Sequence, residues 1–148
     1  MDRHNRATAL AVLACALLLG STGCAGGPVL GLLEEDQTDQ DILTIQSDLD
    51  GIDVSSTRFL TERDGVEYFA ATPSGGSGPE KVVCLLVEEG IGVGIECTPL
   101  EPGRAGATIR DSRATAVLLP DDIDRNAVVD EGFELLHPNL ALRPAEAD

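Results

Sequence analysis

Several things are scarce in this chain, and each scarcity excludes something. Lysine occurs once, at Lys81, and 10 basic residues stand against 26 acids, for a formal net charge of −16. A surface this acidic repels phosphate backbones, which excludes nucleic acid as a partner. Two histidines and four cysteines are few for a metal site, and no metal or other cofactor is expected. Long apolar runs are missing as well. Ala9 to Leu19 would span about 16 Å as a helix, against about 30 Å of bilayer core. That is too short for a standard transmembrane helix.

Complete catalytic or ligand-binding motifs are also lacking. Gly90, Gly92 and Gly94 would need a further glycine at Ile95 to make a dinucleotide fingerprint. Ser77 would need glycine at Pro79 to sit in a nucleophile elbow. A calcium loop starting at Asp48 would need an oxygen ligand at Ile52, glycine at Asp53 and glutamate at Phe59. All three fail, and Asp48–Asp53 reads as an acidic turn before a strand. There is no internal repeat and no parallel βαβ rhythm.

What is present begins with an address. Arg3, Arg6 and the terminal amine precede the apolar run, and Gly20, Ser21, Thr22 and Gly23 follow it. A basic start, an apolar centre and a small-residue exit make a secretory signal. The exit Ser21-Thr22-Gly23-Cys24 resembles the lipobox of bacterial lipoproteins. Thr22, Gly23 and Cys24 match it, and Ser21 stands where an aliphatic residue is usual. The resemblance implies cleavage just before Cys24, a diacylglyceryl thioether on its thiol, and a new amine open to acylation. The protein would then sit outside the cytoplasmic membrane, held to its outer face through Cys24. It covers only about two dozen residues. An ordinary cleaved signal or an uncleaved anchor are the alternatives. An anchor would run on through Gly26, Gly27 and Pro28, which suit a helix poorly.

Cleavage there leaves 125 of the 148 residues, enough for one domain. Losing Asp2, Arg3 and Arg6 takes the net charge to −17. The expected division is a signal over 1–23, a tether over 24–33, one domain over 34–143 and a frayed tail over 144–148, with fraying from Arg143 on. Cys15 leaves with the signal and Cys24 takes lipid. Cys84 and Cys97 remain, an even pair in an oxidising compartment, and a disulfide is the expectation.

The domain starts with seven acids and no base over Glu34–Asp50. Ile42, Ile45, Leu49 and Ile52 recur at near-helical spacing, and Thr38 with Asp41 fits a capping box. A short helix near 38–46 is expected. Thr57–Thr72 places Asp64-Gly65 between two strand-like runs, a hairpin signal. A two-residue turn pairs Leu60 with Phe69, Thr61 with Tyr68 and Glu62 with Glu67. Pro73–Glu80 is a loop. Lys81–Glu88 is apolar on both faces, as a central strand should be. A turn at Gly90-Ile91 makes opposed residue numbers sum to 181, so Cys84 meets Cys97 and Leu86 meets Ile95. Strands are expected at 107–109 and 114–119, a helix near 122–130 stopped by Gly132, and a strand at 133–136. Pro138-Asn139 is a turn, with an edge strand at 140–142. His137 reads as a turn or strand-end residue.

The expected fold class is α+β, mainly an antiparallel β meander with two short helices and one disulfide-bridged hairpin. The order of acidic helix, Asp-Gly hairpin, cystine hairpin and late Leu118-Leu119-Pro120-Asp121 turn resembles small uncharacterised extracytoplasmic domains of high-GC Gram-positive bacteria. That resemblance brings no activity. The expected function is non-catalytic: a lipid-anchored envelope protein with a small binding or interaction domain and an unidentified protein or small-molecule partner. A small hydrolase using carboxylates such as Asp121 and Asp122 is the enzymatic alternative. A transport binding protein would commonly need two lobes and a longer chain.

Overall fold

The computed structural model of the protein describes residues 29–47, 49–76 and 81–145. The signal, Cys24 and the first part of the expected tether lie outside them. Among the described residues, eight strands form two antiparallel sheets. The first has the order β1 (Arg58–Arg63), β2 (Val66–Ala71), β3 (Val82–Glu89) and β4 (Gly92–Pro99). The second has β5 (Thr108–Arg110), β6 (Ala114–Leu118), β8 (Leu140–Pro144) and β7 (Glu134–His137), in that spatial order. Among the described residues one α-helix, α1 (Arg125–Asp130), joins β6 to β7. The fold is therefore mostly β rather than α+β, and only the first sheet is a simple meander.

The turns set the registers in the first sheet. Asp64 and Gly65 both take positive φ, 55° and 80°, which closes a tight hairpin. Thr61 opposes Tyr68 and Glu62 opposes Glu67 as expected. A register shift between Phe59 and Thr61 then puts Phe59, not Leu60, opposite Phe69. This bulge turns Leu60 toward the inter-sheet core and brings the Phe59 and Phe69 rings edge to face, 5.5 Å apart. In the β3–β4 hairpin Gly90 has φ +60° and every opposed pair sums to 181, from Val82 with Pro99 to Glu89 with Gly92. Glu89 and Gly92 flank the turn as a hydrogen-bonded pair. Alternation from there makes Cys84 and Cys97 a closer, non-hydrogen-bonded pair. Their Cα atoms are 4.0 Å apart and the disulfide is formed.

The sheets pack face to face. Leu60, Tyr68, Ala70 and Leu85 of the first meet Ala116, Leu118, Leu140 and Leu142 of the second. The outer face of the first sheet buries Phe69, Ala71, Cys84 and Leu86 under Leu43, Leu49 and Ile52. The outer face of the second buries Val117 and Ala141 under Val128 of α1. β3, β6 and β8 are thus covered on both sides, which explains why β3 is apolar at nearly every position.

Four further expectations need correction. The helix near 38–46 shrinks to a 3₁₀ turn, Asp39–Asp41. The N–H groups of Thr44 and Ile45, which a helix would use internally, donate to the Glu88 carboxylate at 3.1 and 2.7 Å. Leu43 is buried there and Ile42 is exposed, so the helical stripe breaks at its first residue. The second helix starts at Arg125, because Asp124 caps it by accepting from the N–H of Asn126 and Ala127. β8 is central rather than an edge, and it continues through Arg143 and Pro144, paired with Thr115 and Ala114. Finally, the described part of the tether belongs to the folded body. Leu30 is buried in the inter-sheet core, and Gly31–Glu34 forms a 3₁₀ turn.

Candidate functional site

The two sheets leave a cleft of about 450 Å³ at the end where the chain enters, lined by Arg58, Asp41, Asp121, His137 and Asn139 among others. It brings together Asp121, one of the two acids of the hydrolase alternative, and His137, which the sequence offered only as a turn or strand-end residue. Asp121 follows β6, and His137 ends β7. The β7–β8 turn carries Asn139 back between them.

Each side chain here is held by backbone groups. Asp121 accepts from Gly31 N–H through Oδ2 and from Asn139 Nδ2 through Oδ1, both at 2.7 Å. Asn139 is only 4 % exposed, and its Nδ2 also donates to Leu119 O. Asn139 N–H donates to His137 Nδ1 at 3.1 Å. That bond needs a bare Nδ1, so the neutral ring carries its proton on Nε2. Burial lowers the His137 pKa below its usual 6.5, opposed by the nearby Asp121 charge. The ring is neutral at pH 7.

The opposite wall is Arg58 and Asp41. Arg58 is buried, and its guanidinium donates to the carbonyls of Glu35, Ser55 and Thr57. Asp41 accepts from Thr38 N–H and Phe59 N–H, each at 2.7 Å, and from the Thr38 hydroxyl. Burial alone would raise the Asp41 pKa. The Thr38 and Phe59 amides, the Thr38 hydroxyl and Arg58 together hold it below its usual 3.8. A carboxylate this well satisfied is a weak base, so Thr38 beside it is not an activated nucleophile.

Asp122 does not share the cleft. Its Oδ1 accepts from Gly103 N–H at 2.8 Å. The adjacent acids proposed for a hydrolase thus serve two different loops. Arg58, Asp41 and Asn139 were not legible as site residues. Asp41 read as a capping partner, which it is, and Asn139 as a turn. His137, Glu35 and Asp36 line the cleft with Asp41, Arg58 and Asn139, a polar lining suited to holding a polar ligand. Among the described residues no group of three or more His, Cys, Asp or Glu is placed to hold a metal. No described helix is long and apolar enough to cross a membrane. Compared with protein-family models, with curated proteins and with solved structures, the chain matches none.

Proposed function

We propose that this is a non-catalytic, lipid-anchored protein of the bacterial cell envelope, with a small binding or interaction domain outside the cytoplasmic membrane. The observation that carries the reading is the allocation of the four cysteines. Cys84 and Cys97 are bonded to each other, which suits an oxidising compartment. Cys15 lies inside the apolar run, and Cys24 follows Ser21-Thr22-Gly23 at its exit. One thiol therefore stands where a lipid would be attached, and the membrane is the first partner through that lipid.

The binding role is supported by the cleft beside His137 and Asn139. Its carboxylate Asp121 is committed to Gly31 N–H and Asn139 Nδ2, which favours binding over hydrolysis. Intact mass of the membrane-extracted protein tests the anchor. Loss of residues 1–23 with added acyl mass is expected, and an intact chain with unmodified Cys24 would replace it with an uncleaved anchor. Hydrolytic turnover that disappears in Asp121→Asn would replace binding with catalysis.

A further inference from the structure

A second cleft, of about 220 Å³, opens between the sheets at the end opposite the first. The β1–β2 turn, the β3–β4 tip and the β5–β6 turn meet there. Two ion pairs tie the sheets together across it: Arg63 Nη1 to Glu134 Oε2, and Arg113 Nη1 to Glu89 Oε1, both 2.6 Å. Val66, Leu142 and Pro144 form an apolar floor.

Tyr68 is the unusual member. Its residue is only 6 % exposed, yet its hydroxyl has no hydrogen-bond partner among the described residues. Every fully enclosed side-chain polar atom described is paired, so this hydroxyl opens into the cleft that Tyr68 lines. Burial raises the Tyr68 pKa above 10.0, with Asp111 adding to the rise. The group therefore stays protonated at neutral pH and offers both a donor and two acceptor lone pairs.

The charges around it favour a cation. Asp64, Asp111 and Glu134 line the cleft against Arg63 and Arg113, and both arginines are already committed to carboxylates. Asp64 is the freest acid: its side chain is 92 % exposed, and its nearest arginine nitrogen is 3.8 Å away. An incoming anion would have to displace a carboxylate. A cation meets Asp64 with no close partner to displace, and the charge of −16 concentrates cations at the surface.

We propose that this cleft binds a cationic group on an apolar stem, an alkylguanidinium or alkylammonium. Its head reaches the Asp64 and Glu134 carboxylates and the Tyr68 hydroxyl, and its stem lies on Val66, Leu142 and Pro144. The chemistry is that of a free small cation or of an Arg or Lys side chain on a partner protein. The inference is independent of the lipid anchor and of the cleft at the other end.

Tyr68 is the only tyrosine, and the chain has no tryptophan, so intrinsic fluorescence reports on this cleft alone. Full-length protein in dodecyl maltoside micelles is titrated with butylguanidinium, with butyrate, and with the peptide acetyl-Gly-Arg-Gly-amide. A saturable change is expected with butylguanidinium, with Kd on the order of 1 mM, and none with butyrate. Tighter binding of the peptide assigns the site to a protein side chain, and equal or weaker binding assigns it to a free cation; both support the proposal. Asp64→Asn keeps a residue tolerant of positive φ and should weaken butylguanidinium roughly 1.5- to 5-fold. Glu101→Gln, with the same charge change outside the cleft, should leave it unaltered. No saturation with butylguanidinium, saturation with butyrate, or equal weakening by the two substitutions would overturn the proposal.

Discussion

The first sheet follows chain order, β1-β2-β3-β4, whereas in the second β8 enters between β6 and β7. Two of the three connections in the first sheet are two-residue turns with recognisable chemistry, Asp64-Gly65 and Gly90-Ile91. Each fixes a register by counting outward from it. In the second sheet residues 119–133 carry the chain through α1 to an edge, and β8 returns beside β6. Burial explains that order. β8 sends Leu140 and Leu142 into the inter-sheet core and Ala141 under α1, so both its faces are covered. β7 starts at exposed Glu134 and is only partly buried along its length, which an edge tolerates. Turn chemistry sets who faces whom, and two-sided burial sets which strand is central.

The sharpest test compares one leucine from each sheet. Leu85 of β3 and Leu140 of β8 are both fully enclosed in the shared core. Truncating either to alanine removes apolar contacts and leaves a cavity, at about 2–5 kcal/mol. Urea denaturation followed by far-UV circular dichroism should give similar losses and one transition for each. A mild loss for Leu85→Ala, or two separate transitions, would mean that the sheets do not unfold together.

The disulfide divides the sheets more selectively. It closes a loop of 13 residues' separation, so its removal should lower stability by about 2–3 kcal/mol. The register of β3 with β4 should survive, since the Gly90-Ile91 turn sets it. Hydrogen exchange on a Cys84→Ala/Cys97→Ala variant checks this. Protection of the paired β3 and β4 amides should fall only as far as global stability does. Selective loss in that hairpin would show that the bond, not the turn, fixes the pairing.

The same contrast explains what could be read from the sequence. Both hairpins of the first sheet and the cystine were legible because turn residues and alternation act over a few positions. The bulge at Leu60 was not, because it answers to packing on both sheet faces. The helix expected near 38–46 failed because Glu88, more than forty residues away, takes its amide protons. Little of the candidate site was legible. Asp121 entered only with the hydrolase alternative and His137 only as a turn or strand-end residue, because their meeting with Arg58 depends on how the sheets face each other.

Acidity should act on both ends of the sandwich. At the end where the chain enters, Asp41 has its pKa lowered as described above. At the far end Arg113 lowers Glu89 chiefly by hydrogen bonding, and the Arg113 and Ala114 amides lower Asp111. A lowered carboxylate contributes stability that is present above its unfolded value, near 3.8 for Asp and 4.5 for Glu, and is lost as pH falls through the folded value. His137 adds an earlier, smaller decline as pH drops below 6.5, because the unfolded ring protonates first. Urea midpoints should therefore be level near pH 8, sag below about pH 6.5 and fall steeply below about pH 4.5. Asp41→Asn should flatten the steep limb in part. An unchanged limb would assign the acid sensitivity to the Arg113 cluster alone.

The smallest effect tests the first sheet where its regular register works against it. Glu67 on β2 faces Glu62 on β1 and Glu88 on β3, three carboxylates abreast. Two of them have compensation. Glu62 accepts from Gly65 N–H, and Glu88 accepts from Thr44 and Ile45 N–H. Glu67 accepts no hydrogen bond among the described residues, so it carries the repulsion without a return. Glu67→Lys would exchange two like-charge neighbours for two opposite ones, with its stem lying along the same outer face. Stability should rise by about 0.5 kcal/mol at low salt, and the gain should shrink as salt screens the exposed charges. A loss of stability, or a gain indifferent to salt, would mean that the turn-set register brings Glu67 a contact its position across β1 and β3 does not reveal.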